Sequence, residues 1–313
     1  MPQTIAVFNE ESRMSDLPPE LRAARPGTPV LIAGPTASGK SALALALARQ
    51  QGRAVVNADA LQVHADWRVL TARPSESDEA AVPHVLYGHV PWGMPHSVGH
   101  WLKEVGPHLA ADPAPVIVGG TGLFLTALTQ GLAEIPEVDR TVRAEADDLL
   151  AREGLGALAK QIDAKTAGRI DLQNGARVRR AWEVLKQTGR GLADWQNRTA
   201  PPLLPLRKAV AFVVEAPKEQ LSPRIERRFD AMLADGALEE VEAMLPRWDP
   251  ALPASRAIGA AELVAVLRGV MPLDEARARA VIATRRYAKR QRTWFRSRMS
   301  DWTPLPMTSL DGT

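Results

Sequence analysis

The feature that most constrains this chain is the stretch Gly34-Pro-Thr-Ala-Ser-Gly-Lys-Ser41, which fits the pattern G-x-x-x-x-G-K-[ST]. The apolar run 30–33 precedes it and the Ala/Leu-rich segment 42–48 follows it, which predicts a strand, a glycine-bounded loop and a helix. The glycines let successive backbone N–H groups face one anion, and the helix N-terminus adds a partial positive charge. The stretch therefore predicts a pyrophosphate-binding loop, without saying which reaction follows.

Individual residues of this loop have separate predicted roles. We expect the Lys40 ammonium to bind the terminal phosphate and the Ser41 hydroxyl to be a ligand of Mg²⁺. The other predicted diphosphate-binding residues of the loop are Gly34, Thr36, Ala37, Ser38 and Gly39. The alternative is a strand-to-helix turn whose glycines serve only packing, and the joint presence of strand, loop, Lys, Ser and helix argues against it.

Composition excludes several classes of protein and of site. The 313 residues include no cysteine, which rules out disulfides, thiolate zinc sites and thiol nucleophiles. No run of about 18 uncharged apolar residues is present, so no transmembrane helix is expected. Residues 1–27 contain acidic residues and lack an apolar core, so they are not a secretory signal. With Pro18-Pro19 and Pro26-Gly27 they are predicted to be a loosely ordered extension. We expect a cytoplasmic, monomeric protein with no membrane partner.

Two further strands are predicted to end beside the loop. The strand 54–58 ends at Asp59, and the strand 114–118 runs into a glycine-rich exit that contains Thr121. Because the carboxyl ends of parallel strands line the ligand crevice of a doubly wound fold, we expect both side chains near the anion. Capping of a following helix is the alternative role of Asp59. The second strand ends in Gly119 instead of the Asp with which many P-loop NTPases hold Mg²⁺, which disfavours an ATPase or GTPase.

The histidines indicate no metal site in the sequence. Four of the six lie between residues 83 and 101, namely His84, His89, His96 and His100. Their spacings match no metal-binding motif, so isolated loop or core histidines are expected there.

The α/β pattern is interrupted once. Residues 134–205 contain helical runs and no convincing strand, and a strand returns over 208–215. We therefore predict an α/β fold: a P-loop NTPase-like parallel sheet flanked by helices, with an all-helical insertion domain over 134–205 and a helical C-terminal part. The core is assigned to residues 28–133 and 206–313.

A basic run near the end of the chain predicts contact with a polyanion. Between Arg277 and Arg298 there are nine Lys or Arg residues and no Asp or Glu. On a helix, four of the nine fall on one face, and these are Arg285, Lys289, Arg292 and Arg296. Such a face is typical of contacts with phosphate backbones, and the alternative is a surface helix paired to acidic neighbours.

Seven motifs, in this order and spacing, resemble the tRNA dimethylallyltransferases, also called tRNA isopentenyltransferases. The resemblance runs from about residue 30 to residue 298, and its motifs lie at 34–41, 58–63, 71–74, 119–124, 177–184, 257–263 and 287–296. They begin with Gly-Pro-Thr-Ala-Ser-Gly-Lys-Ser and end with Tyr-Ala-Lys-Arg-Gln-x-Thr-Trp-Phe-Arg. Each alone is a weak signal, whereas the set is highly specific.

The resemblance implies transfer of a dimethylallyl group from dimethylallyl diphosphate to N6 of the adenine just 3′ of the anticodon, with Mg²⁺ as cofactor. It implies that Asp59 takes the N6 proton, and that Thr121 interacts with the departing diphosphate and the flipped nucleotide. Arg224 and Arg228 match an Arg-Ile-x-x-Arg pattern whose first member lies near the diphosphate. Residues implied to contact the tRNA anticodon stem-loop are Asp59, Ala60, Leu61, Gln62, Thr121, Arg143, Ala176, Arg177, Val178, Arg179, Arg180, Ala257, Ile258 and Gly259, to which the basic face adds Arg285, Lys289 and Arg292.

The chain departs from the usual pattern of this family at a few positions. Ala60 and His64 stand where Ser and Tyr are common, Asn174 where many members have Asp, and Ala260-Ala261 replace a frequent Tyr-Lys pair. All lie beside the implied tRNA-contact segments. They therefore bear on the detail of RNA recognition more than on the chemistry.

Three rival functions share parts of this pattern. A small-molecule kinase shares the layout of the first 120 residues but would need ATP and no basic C-terminal helix. An adenylate isopentenyltransferase would act on free nucleotides, whereas the helical insertion and the basic run favour tRNA. An RNA-binding protein with a vestigial nucleotide loop would not need Asp59 and Thr121.

Overall fold

A parallel six-stranded sheet lies at the centre of the fold in the computed structural model, which describes residues 17–307. Its strands are β1 (Val30–Ala33), β2 (Val55–Asn57), β3 (His84–Val85), β4 (Val116–Gly119), β5 (Val210–Glu215) and β6 (Thr303–Pro306). They are ordered β3-β2-β4-β1-β5-β6, and every adjacent pair is parallel. The predicted α/β class with a parallel sheet is confirmed.

Strands β1 and β4 meet at the point where the chain reverses its direction across the sheet. From β1 the chain continues toward β2 on one side, and β4 leads to β5 on the other side. Their register pairs Val30 with Val116 and Ala33 with Gly119, so both strands end level with each other. Ligands of open α/β sheets bind outside the carboxyl ends at such a switch point. The pyrophosphate loop and the glycine-rich exit therefore lie side by side.

The α-helices alternate with the strands and then dominate the C-terminal third. In chain order they are α1 (Pro19–Arg22), α2 (Lys40–Gln51), α3 (Glu76–Ala81), α4 (Val98–Val105), α5 (Gly122–Gln130), α6 (Arg140–Glu153), α7 (Leu155–Lys160), α8 (Ala164–Ala167), α9 (Gly175–Thr188), α10 (Leu192–Gln196), α11 (Lys218–Ala234), α12 (Ala237–Met244), α13 (Ala260–Leu267) and α14 (Leu273–Arg298). Short 3₁₀ turns lie at Gly106–Ala110, Leu206–Lys208, Leu245–Arg247 and Ala254–Arg256. None of the helices in residues 17–307 combines the length and the apolar character needed to cross a membrane.

The chain divides into two compact units, Met1–Thr129 with Leu203–Thr313, and Gln130–Pro202. The helical insertion was predicted over 134–205, close to the second unit. That unit has its own hydrophobic core, in which Ala146 and Leu149 of α6 meet Leu158 of α7 and Trp182 of α9. Its apolar residues recur at helical spacing, which is the pattern from which the helices were predicted.

The segment before β1 is packed, so the prediction of a loosely ordered extension is wrong for residues 17–27. Leu17 and Leu21 are buried at 2% and 0% exposure, in one cluster with residues of α2 and the sheet. The fully buried Arg53 fixes the end of this segment, since its Nη atoms donate to the carbonyls of Arg25 at 2.6 Å and Thr28 at 2.7 Å. Residues 1–16 lie outside the described part of the chain.

Helix α13 is set off from the chain before it by a glycine. It begins at Ala260, after the 3₁₀ turn Ala254–Arg256. Gly259 between them has φ of 97°, in the left-handed region that glycine adopts without strain. Phe229 lies 2.9 Å from the position a Cβ atom would take there, so the close packing also requires glycine.

Candidate active site

The pyrophosphate loop has the conformation that anion binding requires. Helix α2 begins directly after Gly39, whose φ is 84°, and Ala37 also has a positive φ, of 61°. This curl leads into the N-terminus of α2, where the first backbone N–H groups have no intrahelical partner and can face an anion. Ser38 is fully buried, and its Oγ atom makes no hydrogen bond within residues 17–307. A buried hydroxyl without a partner is costly, so the loop fits an oxygen-rich anion.

Lys40 extends over this loop, where its Nζ atom lies 3.4 Å from the carbonyl oxygen of Pro35. Burial lowers the pKa of its ammonium from 10.5 to about 8, Asp59 opposes this decrease, and the charge of Arg228 adds to it. A bound polyanion would restore the charged form. The three groups therefore share one electrostatic environment.

Asp59 is held at the end of β2 by a network of backbone contacts. Its N–H donates to Oδ1 of Asn57 at 2.8 Å, and its own Oδ1 accepts from the N–H of Leu61 at 3.0 Å. Asn57 is in turn fixed by Trp101, whose Nε1 donates to its carbonyl at 2.7 Å. The carboxylate thus terminates the strand in a defined orientation. The capping alternative for Asp59 is not observed as a helix N-cap, because the segment after it is a turn.

Thr121 lies beside Asp59 through a direct bond between the two strand ends. Its Oγ1 accepts from the N–H of Ala60 at 2.9 Å, and its own N–H donates to the carbonyl of Ala58 at 3.2 Å. The hydroxyl of Tyr287 is in hydrogen-bond contact with Thr121, and burial raises the pKa of this tyrosine. The expected proximity of the acid and the hydroxyl is therefore present in the structure.

Gln291 of α14 joins the two glycine-bearing loops. Its Oε1 accepts from the N–H of Thr36 at 2.9 Å, and its Nε2 donates to the carbonyl of Gly120 at 2.9 Å. Tyr287, one helical turn earlier, contacts the Gln291 side chain as well. Sequence reasoning did not assign a role to Gln291 or Tyr287. The available signal was an uncharged Gln within a basic run, four residues after a Tyr, and so on the same helix face.

Several of these groups line one cleft together with apolar side chains. Its polar lining includes Lys40, Ser41, Asp59, Arg228 and Tyr287. Its apolar lining consists of Leu61, Leu70, Ile225, Phe229, Met232 and Ile258. A molecule with an anionic head and a short hydrocarbon tail matches this combination. Arg228 lines the cleft, whereas the predicted Arg224, one turn earlier on α11, is not among its lining residues.

Of the predicted tRNA contacts in the unit that contains the sheet, some reach the cleft and others are core residues. Leu61, Gln62 and Ile258 line the cleft. Ala257 is 4% exposed and Gly259 is also buried, so in this segment Ile258 is the predicted contact that reaches the cleft, and contact of the segment with tRNA stays a prediction. Their position shapes the loop that presents Ile258.

The basic face of α14 is partly neutralised by the neighbouring helix. Arg285, Lys289 and Arg292 line a second hollow of about 310 Å³, together with Lys218 and Arg286. Arg285 forms an ion pair with Glu226 of α11, and Arg277 forms one with Asp230. The alternative of pairing to acidic neighbours therefore holds for part of the run. Arg286 and Lys289 are exposed and make no ion pair within residues 17–307.

The second unit presents its predicted RNA contacts unequally. Ala176 and Arg177 are exposed at the start of α9, Arg143 is also exposed, and Arg180 is partly exposed. Arg179 is held by Asp147 and Glu183. Val178 is fully buried in the core of this unit, so its side chain packs inward, and contact of the segment 176–180 with tRNA stays a prediction that rests on its exposed neighbours.

Most departures from the family pattern lie in defined local environments, and one of them has a clear local role. Asn174 caps α9, since its side chain accepts from the N–H of Arg177 at 3.2 Å, a role that Asn and Asp share. His64 is 3% exposed, and burial, followed by the charge of His96, lowers its pKa. Ala60 acts through its backbone N–H, and Ala260 is fully buried.

Comparisons with known sequences converge on one family. A family model described as IPP transferase matches residues 62–298, and one described as Isopentenyl transferase matches residues 28–84. A tRNA dimethylallyltransferase of Dinoroseobacter shibae is 62% identical over 296 residues, covering 92% of this chain and 98% of that protein. One of Cereibacter sphaeroides is 63% identical over 289 residues, covering 92% of this chain and 91% of that protein.

Solved structures agree with this. The full-length tRNA isopentenylpyrophosphate transferase of Bacillus halodurans matches with a TM-score of 0.62 and 29% identity, over 91% of this chain and 92% of that one. A eukaryotic dimethylallyltransferase acting on tRNA has a TM-score of 0.76 at 24% identity, over 91% of this chain and 75% of that one, and supports the fold.

Proposed function

Since the chain belongs to the IPP transferase family, that of the tRNA dimethylallyltransferases, we propose that it transfers a dimethylallyl group from dimethylallyl diphosphate to N6 of the adenosine directly 3′ of the anticodon in tRNA. The protein is a transferase. The observation that supports the donor best is the single cleft in which a cationic phosphate loop meets an apolar wall.

The polar side chains that line the cleft suit the diphosphate of the donor. Backbone N–H groups of the loop, the ammonium of Lys40 and the guanidinium of Arg228 all face it. Negative charge grows on the diphosphate as the allylic C–O bond breaks, and preorganised donors stabilise that charge. Arg224 stays a predicted diphosphate contact.

Mg²⁺ fits the same polar lining of the cleft. It prefers oxygen ligands, takes one or two from the protein and completes its shell with substrate phosphates and waters. The Ser41 hydroxyl lines the cleft and would hold the ion together with the diphosphate. When bound, Mg²⁺ would neutralise charge on the leaving group.

The apolar side chains that line the cleft suit the five-carbon dimethylallyl group. Ile225, Phe229 and Met232 project from one face of α11, and Ile258 faces them from the loop before α13. Their spacing of four and three residues on α11 produces that face. An apolar lining also excludes water from the allylic carbon, where attack by water would hydrolyse the donor.

Asp59 supplies the base for the acceptor. As the C1–O bond of the donor breaks, the N6 lone pair forms the C1–N6 bond, the diphosphate keeps the bonding electrons, and Asp59 receives the N6 proton. A positioned carboxylate is suited to this task. Thr121, whose Oγ1 accepts from the N–H of Ala60 directly after Asp59, supplies a hydroxyl for the leaving group and the flipped nucleotide.

The acceptor base must leave the anticodon-loop stack to reach Asp59. Extrusion costs less from a single-stranded loop than from a duplex. We propose that the exposed cations of α14 and Arg177 of α9 contact the tRNA backbone. Because its substrate would be tRNA, we also propose that the protein acts in the cytoplasm, as a monomer.

The function is tested by incubating the protein with unmodified tRNA, dimethylallyl diphosphate and Mg²⁺, followed by mass analysis of the digested nucleosides. We expect one adenosine per acceptor tRNA to gain a dimethylallyl group. AMP in place of tRNA is the matched control, and we expect no product from it. Transfer to AMP but not to tRNA, or consumption of ATP, would contradict the proposal.

A further inference from the structure

Three side chains that the proposed transfer does not use converge at helix α4. His89 follows β3, His96 directly precedes the N-cap of α4, and Glu104 lies in its last turn. The Nε2 atoms of the two histidines lie 3.1 and 2.9 Å from Oε2 of the glutamate. Among residues 17–307 they are the one group of three His, Cys, Asp or Glu whose ligand atoms all lie within 4.8 Å of one another.

We propose that His89, His96 and Glu104 form a binding site for Zn²⁺, with a fourth position open to water. Zinc bonds of about 2.0–2.2 Å at tetrahedral angles separate neighbouring ligand atoms by about 3.3–3.5 Å. The separations of 2.9 and 3.1 Å from Glu104 Oε2 are slightly smaller than this, and the ligand atoms of the two histidines lie within 4.8 Å of each other. Insertion of the ion therefore needs adjustment of side chains that are already neighbours.

The backbone around each histidine is fixed in advance. The residues on both sides of His89 bond to a neighbouring segment, Gly88 N–H to the carbonyl of Gln62 and Val90 N–H to that of Val63, each at 2.9 Å. The residue after His96 is Ser97, which forms a capping box with His100 at the start of α4. A preorganised ligand set favours metal binding, because little conformational entropy is lost.

The donor chemistry selects zinc over magnesium. Two imidazoles and one carboxylate match the ligands of borderline-soft metals, whereas Mg²⁺ prefers an all-oxygen shell. The His96 side chain is 5% exposed while those of His89 and Glu104 are about a third exposed, which leaves an entry path on their side.

The site would join helix α4 to the loop that precedes it, and α4 in turn supports the end of β2 that bears Asp59. The ion would tie the loop before α4 to that helix, which also bears Trp101. The indole of Trp101 supports the carbonyl of Asn57, and Asn57 supports Asp59. Zinc would therefore stabilise the segment that supports Asp59, without contact with the reacting atoms.

Metal titration of tag-free, full-length protein tests the proposal. Zn²⁺ is added in competition with a chromophoric chelator, and we expect one ion per chain. His96→Ala and Glu104→Gln should each lower the affinity by more than about 100-fold, since even second-shell changes cost 10–100-fold. His108→Ala, which removes a histidine outside the cluster, is the matched control and should leave affinity unchanged. Circular dichroism verifies that each variant is folded.

Hydrogen exchange locates the bound ion independently of activity. In the wild-type protein, Zn²⁺ should slow exchange of amides in residues 86–97, and this protection should be absent from Glu104→Gln. Failure of the wild type to bind zinc at micromolar concentration would overturn the proposal. Equal affinity in the cluster variants, or displacement of zinc by excess Mg²⁺, would also overturn it.

Discussion

Asp59 is the residue on which the proposed chemistry depends most directly. If its carboxylate receives the N6 proton, Asp59→Ala should lower the single-turnover rate by about 10²–10⁴-fold, the usual contribution of a positioned general base. The affinity for tRNA should change little, because the base acts on one proton and not on the phosphate backbone.

The matched variant is Asp59→Asn, which keeps the acceptor oxygen for the Leu61 N–H and can still orient the amine. We expect it to retain more activity than Asp59→Ala and less than the wild type. A near-native rate in Asp59→Ala would exclude the residue as the base.

Thr121 offers a second test at the same scale. Its hydroxyl lies between the Ala60 N–H and Tyr287. Thr121→Ala should lower the rate by about 100-fold, the scale for loss of one donor to a developing anion. Thr121→Ser keeps the hydroxyl and should be much milder. If Ser and Ala variants have the same rate, the residue contributes packing alone.

Lys40 makes diphosphate binding depend on pH. Its pKa is about 8 in the free protein, and a bound anion raises that pKa because it favours the ammonium form. Affinity is therefore full below pH 8 and falls above it, by up to about tenfold per unit, until the pKa of the complex is reached.

Calorimetry with dimethylallyl diphosphate above about pH 7, where the phosphates have completed their own ionisation, measures this decrease. In Lys40→Arg the charge persists, and the affinity should be independent of pH over the same range. A pH-dependent wild type with an equally pH-dependent Lys40→Arg would assign the titration to another group.

The sequence located Lys40, Asp59 and Thr121 because each stands in a local pattern that has a physical meaning. It did not locate Gln291, whose partner Thr36 is 255 positions away. A side chain that bridges two loops has no local pattern. Its role follows from the way α14 packs against the sheet, which periodicity alone does not specify.

At the scale of elements, α14 connects the two glycine-bearing loops through the side chain of Gln291. Gln291→Leu would leave the Thr36 N–H and the Gly120 carbonyl without their partners, and each buried unpaired group costs about 1–3 kcal/mol. We expect a lower melting temperature and weaker binding of dimethylallyl diphosphate. Ser297→Ala, on the exposed side of the same helix, is the control and should change neither. Unchanged diphosphate affinity in Gln291→Leu would limit its role to stability.

Elements with strong local patterns were predicted, and those defined by tertiary pairing were not. The four buried residues of β1 form a short apolar run bounded by turn residues, which predicts a buried strand. Strand β6 includes Pro304 and Pro306, which argue against a strand. It exists because it is an edge strand that pairs with β5 alone, where prolines are tolerated.

At the scale of the whole molecule, charge is concentrated more than the net value of +3 suggests. Of the basic run in α14, Arg277 and Arg279 are paired with Asp230 and Glu275, while Arg286 and Lys289 are exposed. A sequence window counts all of these charges alike. The ion pairs come from a neighbouring helix or the preceding turn, so the free surface could be read only from the fold.

This difference within one helix provides a test of where tRNA binds. Each phosphate contact contributes about 0.7–0.9 to the slope of log affinity against log salt. Replacing Arg286 and Lys289 with Ala should weaken tRNA binding at low salt and reduce that slope by about one to two units. Replacing Arg277 and Arg279 removes the same charge from paired positions, so it should change the slope much less. Affinity for dimethylallyl diphosphate should be unaffected in both. Equal slopes in the two double variants would show that only net charge matters on α14, and would move the contact to other cations such as Arg177.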